Sequence, residues 1–162
     1  MKSHCFRRCK AVRQDFKFEI SNLKSQIEPM KRQLVITTDP IDEPALLRER
    51  SISAGMGAAV YFTGVVRGTE SEQAITAIEY EAFHCMAEHQ FQLLFEEMAK
   101  RWPIESVRLI HRVGMVEVNA PSLWVEVIAP HRGEAFAACQ FLIDRRRRRG
   151  VDPDARVGGE EA

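Results

Sequence analysis

Ala87-Glu88-His89-Gln90-Phe91-Gln92-Leu93-Leu94-Phe95-Glu96-Glu97-Met98-Ala99-Lys100-Arg101-Trp102-Pro103 is the most strongly patterned stretch of the chain. Ala87, Phe91, Leu94, Phe95, Met98 and Trp102 recur at offsets of 0, 4, 7, 8, 11 and 15, which is one apolar stripe at the helical period. Polar side chains fill much of the remaining circumference. Pro103 stops the helix, because it lacks a backbone donor and disfavours helical geometry in the residue before it. Such a helix needs another layer on which to bury its stripe.

The flanks supply that layer. Upstream, Leu34 to Thr37 reads as a first strand, and Asp42-Glu43-Pro44 starts a short helix that runs to about Arg50. Gly55 and Gly57 break it, and Ala58 to Val66 is β-branched and aromatic, a strand. The polar loop Gly68-Thr69-Glu70-Ser71-Glu72-Gln73 separates it from a second strand, Ile75 to Phe83, expected to face the first. Downstream, Val107 to Val113 alternates as a strand that Gly114 turns or bulges. Asn119-Ala120-Pro121-Ser122 separates it from another, Leu123 to Ala129. Pro130 closes that strand, and a last helix opens near Arg132 with Ala135, Cys139, Leu142 and Ile143 as core positions. The order is β-β-α-β-β-α after the opening strand and short helix. It predicts an α+β domain with a mostly antiparallel sheet and helices packed on one face.

Composition agrees with one such domain. The 162 residues are 45% hydrophobic, enough to bury a core, and 23 basic residues balance 23 acidic ones, so the net charge marks neither a nucleic acid nor a membrane partner. The first 29 residues are basic, with Phe16, Phe18, Ile20, Leu23 and Ile27 spaced for a short amphipathic helix or a loose segment, whereas Met30 opens an apolar run, so the domain is expected to span residues 30–149. That leaves residues 1–29 as an extension and 150–162 as a short tail. Cys5, Cys9, Cys85 and Cys139 are too scattered for a disulfide framework and read as reduced thiols of a cytoplasmic protein, with no metal site expected. No apolar run approaches the roughly 18 residues of a membrane span.

Three places suit anions. Phe62-Thr63-Gly64-Val65-Val66-Arg67-Gly68 ends a strand in an arginine beside glycines, where a planar fork of donors meets backbone that a ligand can approach closely. The plain alternative is a solvated charge. Pro130-His131-Arg132 lies where a strand gives way to a helix, whose free amides and partial positive charge attract anions. His111-Arg112 is a weaker pair, since alternation points its side chains to opposite faces; a structural histidine is the simpler reading. The third place is the run Arg145 to Arg149, which complements the negative end of a helix dipole and lets Gly150 cap it. Residues 145–162 contain no aromatic side chain for base stacking, which argues against RNA.

Taken in order, Gly57-Ala58-Ala59-Val60-Tyr61-Phe62-Thr63-Gly64-Val65-Val66-Arg67, Ile78-Glu79-Tyr80-Glu81, Arg101-Trp102-Pro103, Ile110-His111-Arg112-Val113-Gly114, Pro130-His131-Arg132, Glu134-Ala135-Phe136 and Phe141-Leu142-Ile143-Asp144 resemble the molybdopterin synthase large (catalytic) subunits from about Met30 to Asp144. The resemblance implies an α/β hammerhead-type fold that forms a homodimer. It also implies a small ubiquitin-fold sulfur-carrier partner, whose C-terminal Gly-Gly thiocarboxylate enters a pocket of the large subunit. The substrate it implies is cyclic pyranopterin monophosphate, which receives two sulfurs to become molybdopterin, with no cofactor. On that resemblance Val65, Val66, Arg67, His131, Arg132 and Arg147 form the substrate-binding set, and His131 and Arg147 are the catalytic candidates.

The chain departs from the family where it matters for catalysis. The family carries two lysines in and beyond the last helix, the second in a Pro-x-Trp-Lys-x-Glu context; here those positions fall on Arg147 and Asp154, and the tryptophan context is missing. Arginine keeps a charge but not a tunable amine, and aspartate reverses the sign. Two alternatives follow: a catalytically impaired binding subunit of the same complex, or an anion- or RNA-binding module built on the arginine run.

Overall fold

The computed structural model describes residues 29–70, 72–81, 83–148 and 154–158. In chain order these form β1 (Lys31–Thr37), α1 (Glu43–Arg48), β2 (Ala58–Val65), β3 (Thr69–Glu70), β4 (Gln73–Ala74), β5 (Ala77–Glu81), α2 (His84–Arg101), β6 (Ser106–Arg112), β7 (Gly114–Glu117), β8 (Pro121–Ala129), α3 (Arg132–Arg148) and β9 (Asp154–Gly158). The main sheet has the order β1-β6-β8-β2. Only its β1–β6 pair is parallel, so the mostly antiparallel α+β expectation holds.

Strand alternation sorts this sheet into two faces. Val107 and Leu109 of β6, Leu123, Val125, Val127 and Ala129 of β8, and Val60 and Phe62 of β2 pack against the two long helices. Ala87, Phe91, Leu94, Phe95 and Met98, the stripe read from the sequence, are the buried residues of α2. Ala135, Ala138, Cys139 and Leu142 are their counterparts on α3. Each fully buried Phe or Leu contributes about 1.5–3 kcal/mol, so this layer carries most of the stabilisation. The opposite face presents Arg108, Trp124 and Glu126 and is covered by α1, where Arg108 donates to the Leu46 carbonyl at 2.6 Å. That short helix starts as its sequence dictates, with Asp42 Oδ1 accepting from the Ala45 amide at 3.0 Å.

The strand expected over Ile75–Phe83 does not face β2. The two-residue ladder β3–β4 turns the chain away, and β5 pairs instead with β7 and β9 in a second sheet of order β7-β5-β9. Its own small core is Val66, Ile75, Ile78 and Val116. β7, four residues long, opens with Gly114, whose φ of +78° makes the sharp turn out of β6. Residues 154–158, within the stretch expected as a tail, supply β9. Residues 1–28 of the expected extension, with Cys5 and Cys9, lie outside the described residues, as do Arg149 and Gly150. Among the described residues no helix is long and apolar enough to cross a membrane.

Candidate functional site

The junction of β8 and α3 places His131 and Arg132 as expected, at the start of a 17-residue helix. With Trp102, Gly133 and Glu134 they line an open groove of about 590 Å³. The backbone beneath is tightly held: Gly57 donates to the Pro130 carbonyl at 3.1 Å. A Cβ on Gly57 would stand 2.7 Å from that oxygen, so the glycine opening the Gly57–Arg67 block is what lets the chain pass. Trp102 reads in the sequence as part of the core stripe. In the fold it is half-buried, packs edge-on against Phe141 at 5.3 Å and forms the groove wall. Its place at the end of the stripe, next to the helix-stopping Pro103, is the signal that could have marked it.

Arg67 does not join this groove. In the β2–β8 register Ala58 pairs with Ala129 but Val65 pairs with Pro121, so the two sites sit at opposite ends of one antiparallel ladder, about 23 Å apart along the strands. The expectation that one chain gathers Arg67, His131 and Arg132 is therefore corrected: antiparallel pairing separates what the sequence order suggested could converge. Arg67 is largely exposed and pairs with Glu70 at 3.2 Å. Val65 is exposed, but Val66 is buried in the small second core, so Val66 holds the strand end in place rather than lining a binding surface.

α3 links the two ends. Its 17 residues span about 25 Å, and it packs on β8 and β2, so a helix that begins at Arg132, next to His131, finishes near Val65 and Arg67. Arg147 falls in its last turn, on the Arg67 side. Packing absorbs the first arginine of the run: Arg145 lies over Phe141 at 5.4 Å, on a ring that Arg101 of α2 also covers at 4.7 Å, so Phe141 supplies an aromatic partner that residues 145–162 lack.

His111 sits at the same end, buried between the sheet and α3 with its ring against Tyr80. Desolvation and the neighbouring Arg146 lower its pKa to about 4, against the pull of the Arg112 and Ser122 backbone, so it is a neutral structural histidine. Burial raises the Cys139 thiol to about 11, which makes it inert. Glu126 is raised by burial, opposed by Arg108, Tyr61 and Arg50. No cluster of three His, Cys, Asp or Glu side chains suited to a metal occurs among the described residues.

Fold and site together define a class: an α+β domain with basic side chains at the two ends of one long helix. The family model described as MoaE protein matches residues 36–149, and the chain belongs to that family. It is 33% identical over 114 residues to the molybdopterin synthase catalytic subunit of Staphylococcus carnosus, covering 70% of this chain and 75% of the relative. Its identity to the subunit of the same name from Thermoplasma volcanium is 39% over 88 residues, 54% of this chain and 64% of that one. Among solved structures, molybdopterin synthase from Staphylococcus aureus superposes with a TM-score of 0.64 at 28% identity, over 79% of this chain and 96% of the other.

Proposed function

We propose that the chain is a molybdopterin synthase large subunit that moves sulfur from the thiocarboxylated Gly-Gly end of a small ubiquitin-fold carrier to cyclic pyranopterin monophosphate. Membership of the family over residues 36–149 carries this reading. A solved complex of subunits 1 and 2 of the molybdopterin-converting factor from Helicobacter pylori, with a TM-score of 0.57 at 17% identity over 71% of this chain and 76% of that one, is an example of the small-subunit pairing proposed. In each of the two transfers the carrier's thiocarboxylate sulfur bonds to a side-chain carbon of the pterin while that carbon's C–O bond breaks and the oxygen leaves as water or as the phosphate group. Water then adds to the acyl carbon of the thioester, and the acyl–sulfur bond breaks. Sulfur stays on the pterin as a thiolate, and the carrier leaves as a carboxylate with the released protons passing to solvent. Both the thiocarboxylate and the substrate phosphate are anions, which suits Arg67, Arg132 and Arg147 as their holders and His131 as a proton carrier. No cofactor is needed in the chain, and the reaction is placed in the cytoplasm.

Because Arg67 and His131 stand at opposite ends of one ladder, we assign the complete site to a homodimer, in which one copy's His131 and Arg132 meet the other's Arg67 and Arg147. A second reading, a subunit that binds the carrier with little turnover, is favoured by Arg147 and Asp154 standing where the family has lysines. The assay mixes chain, thiocarboxylated carrier and pterin, and follows dithiolene formation. The unaltered chain should bind the carrier yet turn over on the order of a hundredfold more slowly than a subunit with both lysines, and Arg147→Lys should recover only part. Full turnover by the unaltered chain would overturn the lysine argument and shift the proton-transfer role to His131.

A further inference from the structure

The short helix α1 and the loop after it lie across the sheet face opposite the long helices, yet little apolar surface holds them there. None of residues 42–57 is buried, and Leu47 and Ile52 are exposed. The sheet beneath them is the reverse: Ile110, Trp124, Glu126 and Ile128 are each at most 6% exposed.

Polar contacts fasten the segment along its length. Thr63 donates to Glu43 Oε2 at 2.5 Å, and Arg108 donates to the Leu46 carbonyl at 2.6 Å and reaches Glu49 at 3.7 Å. Arg50 donates to the Tyr61 hydroxyl at 2.9 Å, and Glu105 accepts from the Ser53 amide at 3.3 Å. Tyr61 and Arg108, which receive the segment, also hydrogen-bond Glu126, so the fastenings and the buried carboxylate form one network. At the far end the Gly57 amide donates to the Pro130 carbonyl at 3.1 Å, the carbonyl of the peptide bond that leads into His131.

Each such contact adds little net stability, because water replaces it when the segment lifts. Lifting also rehydrates Arg108 and Glu126, a pair whose burial is unfavourable in itself. Only the renewed exposure of Trp124 and Ile128 opposes it strongly. The segment can therefore be released while the layer of α2 and α3 stays folded.

We propose that residues 42–57 form a strap that opens from the sheet as one unit, and that in its closed position it fixes the turn carrying His131 and Arg132. The turn from Ser53 to Met56, closed by a 3.0 Å hydrogen bond, passes movement of α1 on to Gly57 and so to the Pro130 carbonyl. The strap is a conformational control on the groove at the β8–α3 junction, and it stands whether or not that groove serves sulfur transfer.

The test is native-state amide hydrogen exchange of the full-length chain, read by NMR. The amides of Leu46, Glu49, Met56 and Gly57, bonded to the carbonyls of Asp42, Ala45, Ser53 and Pro130, should share one protection. It should lie at least about a hundredfold below that of Leu94 and Met98 in α2. Urea below the unfolding midpoint should speed exchange in α2 far more than in the strap, because lifting the strap exposes much less surface. Thr63→Val removes one fastening and should speed all four strap amides by a common factor of about five. Gly55→Ala should act in the opposite direction. A Cβ there meets nothing within 4 Å, so alanine fits the closed strap and restricts the open one, slowing the four amides about two- to fivefold. Protection equal to that of α2, the same urea response as α2, four amides that respond separately to Thr63→Val, or a Gly57 amide outside the group would each overturn the proposal.

Discussion

His111 shows how a residue that invites a catalytic role can be a structural one. It sits in Ile110-His111-Arg112, yet it is buried, and Nδ1 lies 3.0 Å from the Arg112 carbonyl. Burial first, and Arg146 second, lower its pKa from 6.5 to about 4. The native state therefore binds fewer protons than the unfolded chain between those values, and stability rises with pH across that window. The contribution, on the order of 3 kcal/mol, is fully present above pH 6.5 and is lost as pH falls through about 4. Thermal unfolding of His111→Asn should depend less steeply on pH between about 4 and 6.5 than that of the parent; identical slopes would mean that other groups carry the acid sensitivity. From the sequence the residue was legible only as a weak candidate with a structural alternative, because alternation gives its face but not its neighbours.

Among the elements, β2 and α3 settle where chemistry can occur. The start of β2 is pressed against the end of β8 through Gly57 and the Pro130 carbonyl, immediately before His131. Gly57→Ala would force a Cβ to within 2.7 Å of that oxygen, so the strand start or the His131 turn must shift. The expected outcome is a melting temperature lowered by several degrees, from about 1–3 kcal/mol of overpacking, and a larger loss of carrier binding than Arg67→Ala produces in an otherwise intact chain. Unchanged stability and binding would show that the junction has slack. The helices themselves were readable because a 3.6-residue stripe is a local signal. β7 and β9 were not, because strands of four and five residues gain their definition from the partner β5 and not from their own pattern.

For the whole molecule, the separation of Arg67 from His131 makes the oligomer part of the proposed mechanism. In a two-fold dimer each site would draw Arg67 from one copy and His131 with Arg132 from the other. Arg67→Ala and His131→Ala chains should each be inactive as pure dimers. Once mixed and allowed to exchange, half the dimers carry one intact site and one doubly altered site, so activity should return to about a quarter of the parent level. A mixture as inactive as its components would place the complete site within one chain and refute the shared arrangement.

The sequence by itself determined what local physics controls: the α2 stripe, the Asp42 cap, the helix stop at Pro103, the strand–helix junction at Pro130, and the ordered blocks that place the chain in its family. Tertiary structure alone decided which strands pair and which charged side chains meet. Pairing β2 with β8 rather than β5 put Arg67 at the far end of the sheet from His131, buried Val66, and set Arg108 between two carboxylates beneath α1. The reason is that periodicity assigns a residue to a face, whereas register and crossover, which fix distances between faces and ends, depend on contacts between segments far apart in the chain.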